Sequence, residues 1–477
     1  MALTRHWAGR RTIQYVARHR LGRSARMRAN RLRLQRYKPW ACQPSRTCCS
    51  AEGEASKSGQ IGHPCRFIGA RRCLIHTRML RVRTAKRIAP VPRCCPSLQS
   101  RQSLHKYARE ELPPMNRADH KRLFLPGPVE VRPTILQAQA APMIGHRMPE
   151  FAALFARLQT KLKRAFFTQN RVYISGSSGS GLWEGAVRCG IRADRKVLHL
   201  VGGAFSERWA LVSRANGLRV DCLEVPWGCA HSPDMVAEAL EKQAYDAVCA
   251  VHNETSTGLT NPIREIGEVV RQQADTLFFV DTVSGFLGTE LRVDDWGIDV
   301  ALTSSQKAFA LPPGIAFAAV SDRVLQRAQG IKNRGYYFDF LTLEKSLQKN
   351  NTPSTPPIAL MYAADAQLDA ILTEGMEARW QRHREMRDAA HDWALSRGFG
   401  LYAQAGYRSD TVTTVANARG IDVAAMNAFM QRECGIAMDT GYGKIKGKTF
   451  RLPHMGDCDM DMLDEVLGGL DAFLESA

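Results

Sequence analysis

Residues 298–307 read Ile298-Asp299-Val300-Ala301-Leu302-Thr303-Ser304-Ser305-Gln306-Lys307, an apolar run that ends in hydroxyls and then a lysine. Apolar residues on both side-chain parities of such a run mean burial on both faces, the mark of a strand inside a parallel sheet. The lysine is followed by Ala308-Phe309-Ala310-Leu311 and Pro312-Pro313-Gly314. A lysine at a strand end can be a solvated surface group. These apolar flanks favour instead a desolvated amine with a lowered pKa, as a Schiff-base lysine needs.

Working outward, similar runs occur at 172–175, 196–201, 218–225, 247–252, 277–281 and 315–320. Helical patterns separate them, among them 182–189, 235–243 and 263–274, the last opening after Asn261-Pro262. The alternation predicts an α/β fold with a mostly parallel seven-stranded sheet covered on both faces, ligands gathering beyond the carboxyl ends of its strands. After about residue 375 the pattern changes to a long charged helix over 376–397, a strand over 409–416 and two more helices. We therefore expect a large domain over 115–375 and a small C-terminal α+β domain over 376–477. Pro353, Pro356 and Pro357 mark an extended segment before the connecting helix.

The formal net charge of +20 suggests a polyanion binder, but its location excludes that for most of the chain. Residues 1–114 hold 26 Lys and Arg against four acids, Glu52, Glu54, Glu110 and Glu111, and the other 363 residues are close to neutral. The basic segment has no sustained apolar period and is expected to be disordered. Three origins stay open for it: a start codon assigned too far upstream, with Met115 the true start; an organelle leader; or an arm that binds nucleic acid through phosphates. Without a leader, the chain is expected to be cytoplasmic. No run of 18 apolar residues suggests a membrane span. Six scattered cysteines after residue 115, without paired short spacing, suggest reduced thiols and no metal site.

Two further motifs stand beside Lys307. Ser175-Gly176-Ser177-Ser178-Gly179-Ser180-Gly181 lies between a strand and a helix, where free N–H groups and hydroxyls suit a phosphate; it also reads as a flexible turn. Phe278-Phe279-Val280-Asp281 ends a buried strand on an acid, which a cap or turn would equally explain. Lysine for an aldehyde, carboxylate for a pyridinium nitrogen and a helix start for phosphate make the recognition set for pyridoxal 5'-phosphate.

With Phe124-Leu125-Pro126-Gly127-Pro128, Gly145-His146-Arg147, Gly203-Ala204-Phe205-Ser206-Glu207-Arg208-Trp209, Asn253-Glu254-Thr255-Ser256-Thr257-Gly258 and Gly447-Lys448-Thr449-Phe450-Arg451, these motifs make residues 120–475 resemble a class V pyridoxal-phosphate aminotransferase of fold type I. The alanine/serine–glyoxylate (serine–pyruvate) group is the most similar. The resemblance implies a homodimer and a ping-pong transfer of an amino group from alanine or serine to glyoxylate or pyruvate. It makes Lys307 the covalent anchor and proton shuttle, and Asp281 the pyridinium partner. Ser178, Gly179, Ser180 and Gln306 would approach the phosphate, Phe205 would stack on the ring, and Thr255 would contact its phenolic side. Thr352 and Thr355 match a segment that reaches the partner subunit's phosphate, and Arg451 would clamp the substrate α-carboxylate. Arg451 can also be read as a surface residue.

His146 and Arg147 fit either the substrate mouth or a capping pair. With Lys444, Lys446 and Lys448 they also admit phosphoserine aminotransferase as an alternative. Cysteine desulfurase resembles the chain less, because Gln306 stands where that branch has His before the lysine, and Cys434 suits a small apolar role. Outside the fold, the alternative is nucleic-acid binding through residues 1–114.

Overall fold

The computed structural model describes residues 120–476, so residues 1–114, Met115 and every expectation attached to them lie outside the described residues. The seven apolar runs form β1 (Arg171–Ser175), β2 (Lys196–Val201), β3 (Arg219–Glu224), β4 (Ala247–Val251), β5 (Leu277–Asp281), β6 (Val300–Ser304) and β7 (Ala316–Val320). They build one sheet in the order β1-β7-β6-β5-β4-β2-β3, parallel except that β7 runs antiparallel to both its neighbours.

Strand β5 shows why these runs are apolar throughout. Phe278 and Val280 enter the core on one face of the sheet, Leu277 and Phe279 the core on the other, and none of the four is exposed to solvent. Each buried phenylalanine contributes about 2–3 kcal/mol of apolar transfer free energy. The first face is covered by α1 (Pro149–Phe166), α5 (Ile263–Arg271) and α8 (Ile358–Glu374), the second by α2 (Gly179–Gly190), α3 (Ala204–Ala215) and α6 (Asp322–Gly330).

Beyond α8, the charged helix α9 (Met376–Ser396) packs with α10 (Val423–Glu433) and α11 (Met460–Ser476) around a separate core that includes Met386, Trp393, Met426, Phe450 and Leu463. A three-stranded antiparallel sheet, β8 (Gly400–Leu401), β9 (Thr413–Ala416) and β10 (Thr449–Leu452), completes this region. Strand β9 starts later than the sequence suggests, because the Ser409 hydroxyl accepts from the N–H groups of Thr411 and Val412 and holds that segment as a turn. Arg122–Phe124 pairs in parallel with Ile436–Met438.

The lysine lies on the return between β6 and β7. Ser305 donates its N–H to Ile315 O at 3.0 Å and its hydroxyl to Pro312 O at 2.7 Å, and Leu311 N–H returns to Ser305 O. Arg379, 1 % exposed at the start of α9, binds this return to the loop after β10. Its Nη2 donates to Ala308 O at 3.1 Å and Gly456 O at 2.8 Å, and its charge is met by Glu374 and Asp457. Removing one member of such a buried network leaves the others uncompensated. Arg379→Met is expected to cost about 3–5 kcal/mol in urea unfolding; a loss below 1 kcal/mol would show that the network is dispensable.

Candidate active site

Four co-directional strands deliver functional residues from their carboxyl ends. Asp281 closes β5, Thr255 follows β4, Phe205 opens α3 after β2, and the Ser178-Gly179-Ser180 turn opens α2 after β1. These residues, with Lys307, Gln306, Trp183, Asn253, Ser304, Arg208, Tyr442 and Gly127, line a cavity of about 400 Å³. Two larger clefts, of about 830 and 500 Å³, lie elsewhere and contain none of these residues.

Asp281 is 3 % exposed, and its two oxygens accept from the Trp183 indole N–H at 2.6 Å and the Val283 N–H at 2.7 Å. Burial outweighs those bonds and pushes the carboxyl up to about 7. Each oxygen keeps lone-pair capacity for one further donor. Lys307 lies 5.7 Å from the centre of the Phe205 ring and donates to Pro126 O. Burial first, and the Arg451 charge second, bring its amine down to about 8. Gly127 makes room for it: at φ +107°, a methyl group there would stand 2.5 Å from Lys307 Cδ and 2.9 Å from Gln306 O.

The opposite end suits a phosphate. Ser178 is the extended N-cap of α2, the next two residues are Gly179 and Ser180, and the buried Ser304 hydroxyl has no hydrogen-bond partner. A Cβ on Gly179 would stand 2.7 Å from Val283 and 3.7 Å from Ser304 Oγ, so the missing side chain keeps this recess open. The orphaned hydroxyl and the helix start are donors without an acceptor, which is what a bound phosphate ester supplies.

Behind the wall, the buried Glu254 carboxylate accepts from the N–H groups of Phe205 and Ser206 and from the hydroxyls of Ser206 and Ser256. It caps α3 and fixes Phe205. Thr255 Oγ1 is held by Ser284 Oγ at 2.6 Å. Arg451, 4 % exposed, stands behind Tyr442, whose ring centre is 5.4 Å from its Cζ. Its Nε and Nη2 grip Asp439 bidentately at 2.7 and 2.6 Å, and Nη1 donates to Thr255 O at 2.9 Å.

Five expected site residues do not line this cavity: Arg451, which lies behind Tyr442, and His146, Arg147, Thr352 and Thr355. Arg147 is exposed and His146 half-buried, both in the turn before α1. Thr352 and Thr355 lie on the outer side of the glycine-serine loop, against Ile174, Ser175 and Gly176. Lys444 is exposed and engaged by Glu207, and Lys446 and Lys448 are exposed. Trp183, Asn253, Glu254, Ser304, Asp439 and Tyr442 were not singled out from the sequence. The one signal for the last two was an aromatic residue set between glycines, in Asp439-Thr440-Gly441-Tyr442-Gly443, just ahead of the Arg451 motif.

The model of the family described as aminotransferase class-V matches residues 144–447, which include every cavity residue named above except Gly127. The chain belongs to the class-V aminotransferases. An uncharacterized aminotransferase of Methanocaldococcus jannaschii is 38% identical over 71% of this chain and 88% of its own length. The serine–glyoxylate aminotransferase of Methylorubrum extorquens is 30% identical over 74% of this chain and 90% of its own. Among solved structures, the alanine–glyoxylate aminotransferase from Nostoc sp. superposes with a TM-score of 0.71 at 30% identity, covering 74% of this chain and 95% of that one. A phosphoserine aminotransferase from Cytophaga hutchinsonii, at 22% identity and a TM-score of 0.68, is alike in fold.

Two expectations test this class-V site. Gly127→Ala should lower kcat at least about tenfold, since the Lys307 stem must move; unchanged kcat would show that the close approach carries no function. Trapping of Lys307 in the ligand-free protein by an aldehyde and a reductant, followed by peptide mass spectrometry, should rise with pH to a midpoint near 8. A midpoint near 10, where exposed lysines titrate, would contradict the burial argument.

Proposed function

We propose that this class-V aminotransferase uses pyridoxal 5'-phosphate to move an amino group from a small amino acid, alanine or serine, to glyoxylate or pyruvate in a ping-pong cycle. The observation that carries the proposal is the convergence of the Lys307 amine, the Asp281 carboxylate and the phosphate-shaped start of α2 on one cavity. When bound, the cofactor supplies an electron sink that carries the amino group between the two half-reactions.

The chain's residues supply the rest. Ser178, Gly179, Ser180, Ser304 and Gln306 would hold the phosphate, and Phe205 would cover one face of the ring. Asp281, with a lone pair free on each oxygen, would hold the ring nitrogen's proton. Lys307 Nζ, titrating near pH 8, takes and returns the proton at the substrate Cα. Arg451 would take the α-carboxylate on the N–H groups that Asp439 and Thr255 leave free, once the Tyr442 ring turns aside between Gly441 and Gly443, both at positive φ. We extend the proposal to a cytoplasmic homodimer in which Thr352 and Thr355, outside their own cavity, serve the partner's phosphate.

His146, Arg147 and the three lysines of the 444–448 loop do not gather around the cavity, so no observation favours phosphoserine. The test is to add pyridoxal phosphate to purified protein and follow its visible absorption and transfer from alanine, serine or phosphoserine to glyoxylate, pyruvate or 2-oxoglutarate. Protein with the cofactor should be yellow and move amino groups from alanine or serine to glyoxylate, and Lys307→Ala should lose at least about a thousandfold in kcat. An active Lys307→Ala variant, or transfer from phosphoserine alone, would sink the proposal.

A further inference from the structure

The proton of one buried hydroxyl behind the cavity wall is fully accounted for, and that fixes the direction of its neighbour. Ser284, 1 % exposed in the turn after β5, donates its hydroxyl to Asn253 O at 2.8 Å. Its oxygen accepts from Asn253 Nδ2 at 3.0 Å and stands 2.6 Å from Thr255 Oγ1. A carbonyl oxygen can only accept, and a hydroxyl has a single proton. With the Ser284 proton given to Asn253 O, the bond to Thr255 forms only if Thr255 donates it. The Thr255 oxygen is then left with lone pairs alone for any other partner. The same rule holds the Asn253 amide in place: Thr411 gives its proton to Ser284 O at 2.9 Å, so it can only accept from Asn253 Nδ2 at 3.0 Å.

The sheet decides what the Thr255 oxygen faces. In its strand order, β5 with Asp281 separates Thr255, after β4, from Lys307, after β6, and from the phosphate-shaped start of α2, after β1. The pyridoxal ring carries its phosphate arm and its phenolic oxygen on opposite sides of the aldehyde carbon, with the nitrogen across the ring from that carbon. A nitrogen at Asp281, an aldehyde at Lys307 and a phosphate at Ser178, Gly179, Ser180 and Ser304 therefore turn the phenolic oxygen away from the phosphate end. Away from that end, Thr255 is the aliphatic hydroxyl that lines the cavity.

We infer that Ser284 is a positioning residue that fixes the Thr255 hydroxyl as an acceptor, so that the cofactor's phenolic oxygen meets a lone pair there and no proton. The inference rests on the pyridoxal 5'-phosphate reading of the cavity. A donor at that oxygen would favour the phenolate and draw its charge away from the nitrogen carried on the adjacent carbon. Without one, the oxygen keeps a proton of its own or shares the one on that nitrogen. The nitrogen then stays charged beside the substrate Cα, and the Cα proton is easier for Lys307 to remove.

The experiment uses pyridoxine 5'-phosphate, which has an alcohol in place of the aldehyde and so forms no bond to Lys307. The pH midpoint of its phenol, bound at saturation, is read from its ultraviolet absorption. Thr255→Val removes an acceptor and should lower that midpoint or leave it unchanged, whereas removing a donor would raise it. Ser284→Ala frees the Thr255 proton for the phenolate and should lower the midpoint by about one pH unit or more. Adding Thr255→Val to Ser284→Ala should bring it back to the value of Thr255→Val alone, a dependence that a merely structural role of Ser284 would not produce. A raised midpoint in Thr255→Val, an unshifted one in folded Ser284→Ala, or a fall that persists in the double variant overturns the inference. Should Ser284→Ala fail to fold, the sign of the shift in Thr255→Val decides. Failure of the wild type to bind the probe overturns the cofactor reading instead, and the inference with it.

Discussion

Water is kept from two ionisable groups that do not touch, the Asp281 carboxylate and the Lys307 amine, and the chemistry of the cavity depends on that exclusion. No ion pair joins them, yet burial carries the acid up to about 7 and the base down to about 8, so their titrations nearly meet. Two groups that ordinarily titrate more than six units apart are thereby drawn together near neutral pH. The exclusion is the work of the sheet. Both groups stand at the ends of central strands whose side chains fill a core on each face, and a more marginal strand would leave one of them wet.

That dependence explains what could be read from the sequence. A strand buried on both faces is apolar at most positions, so the inner strands of the large sheet announce themselves as nearly continuous runs, β2 and β5 to the residue, whereas the edge strand β3 is only half-buried and carries Asp221 among its apolar residues. The residues that end those runs inherit their positions, which is why Asp281 and Lys307 were recognisable as site residues. Trp183 was hidden for the opposite reason. It sits in the apolar stripe of α2 like any core residue, and its indole N–H meets Asp281 only because α2 lies over the carboxyl end of β5.

Contacts between distant segments were equally out of reach. Arg451 was visible as a motif, but its pairing with Asp439 was not, because nothing in the local spacing distinguishes an acid facing the guanidinium from one facing solvent. Thr352 and Thr355 show the same limit in reverse, since their own cavity lies on the other side of the glycine-serine loop.

Arg379 binds the lysine return to the loop that follows β10, whereas Asp439 and Tyr442 belong to the preceding, glycine-punctuated connection. The lysine return and the Asp439–Tyr442 wall are thus carried by separately braced pieces of chain. Exchange of the 439–443 connection can change which molecules enter while the braced lysine stays where it is, so divergence in substrate among proteins built this way requires no renegotiation of the reaction itself.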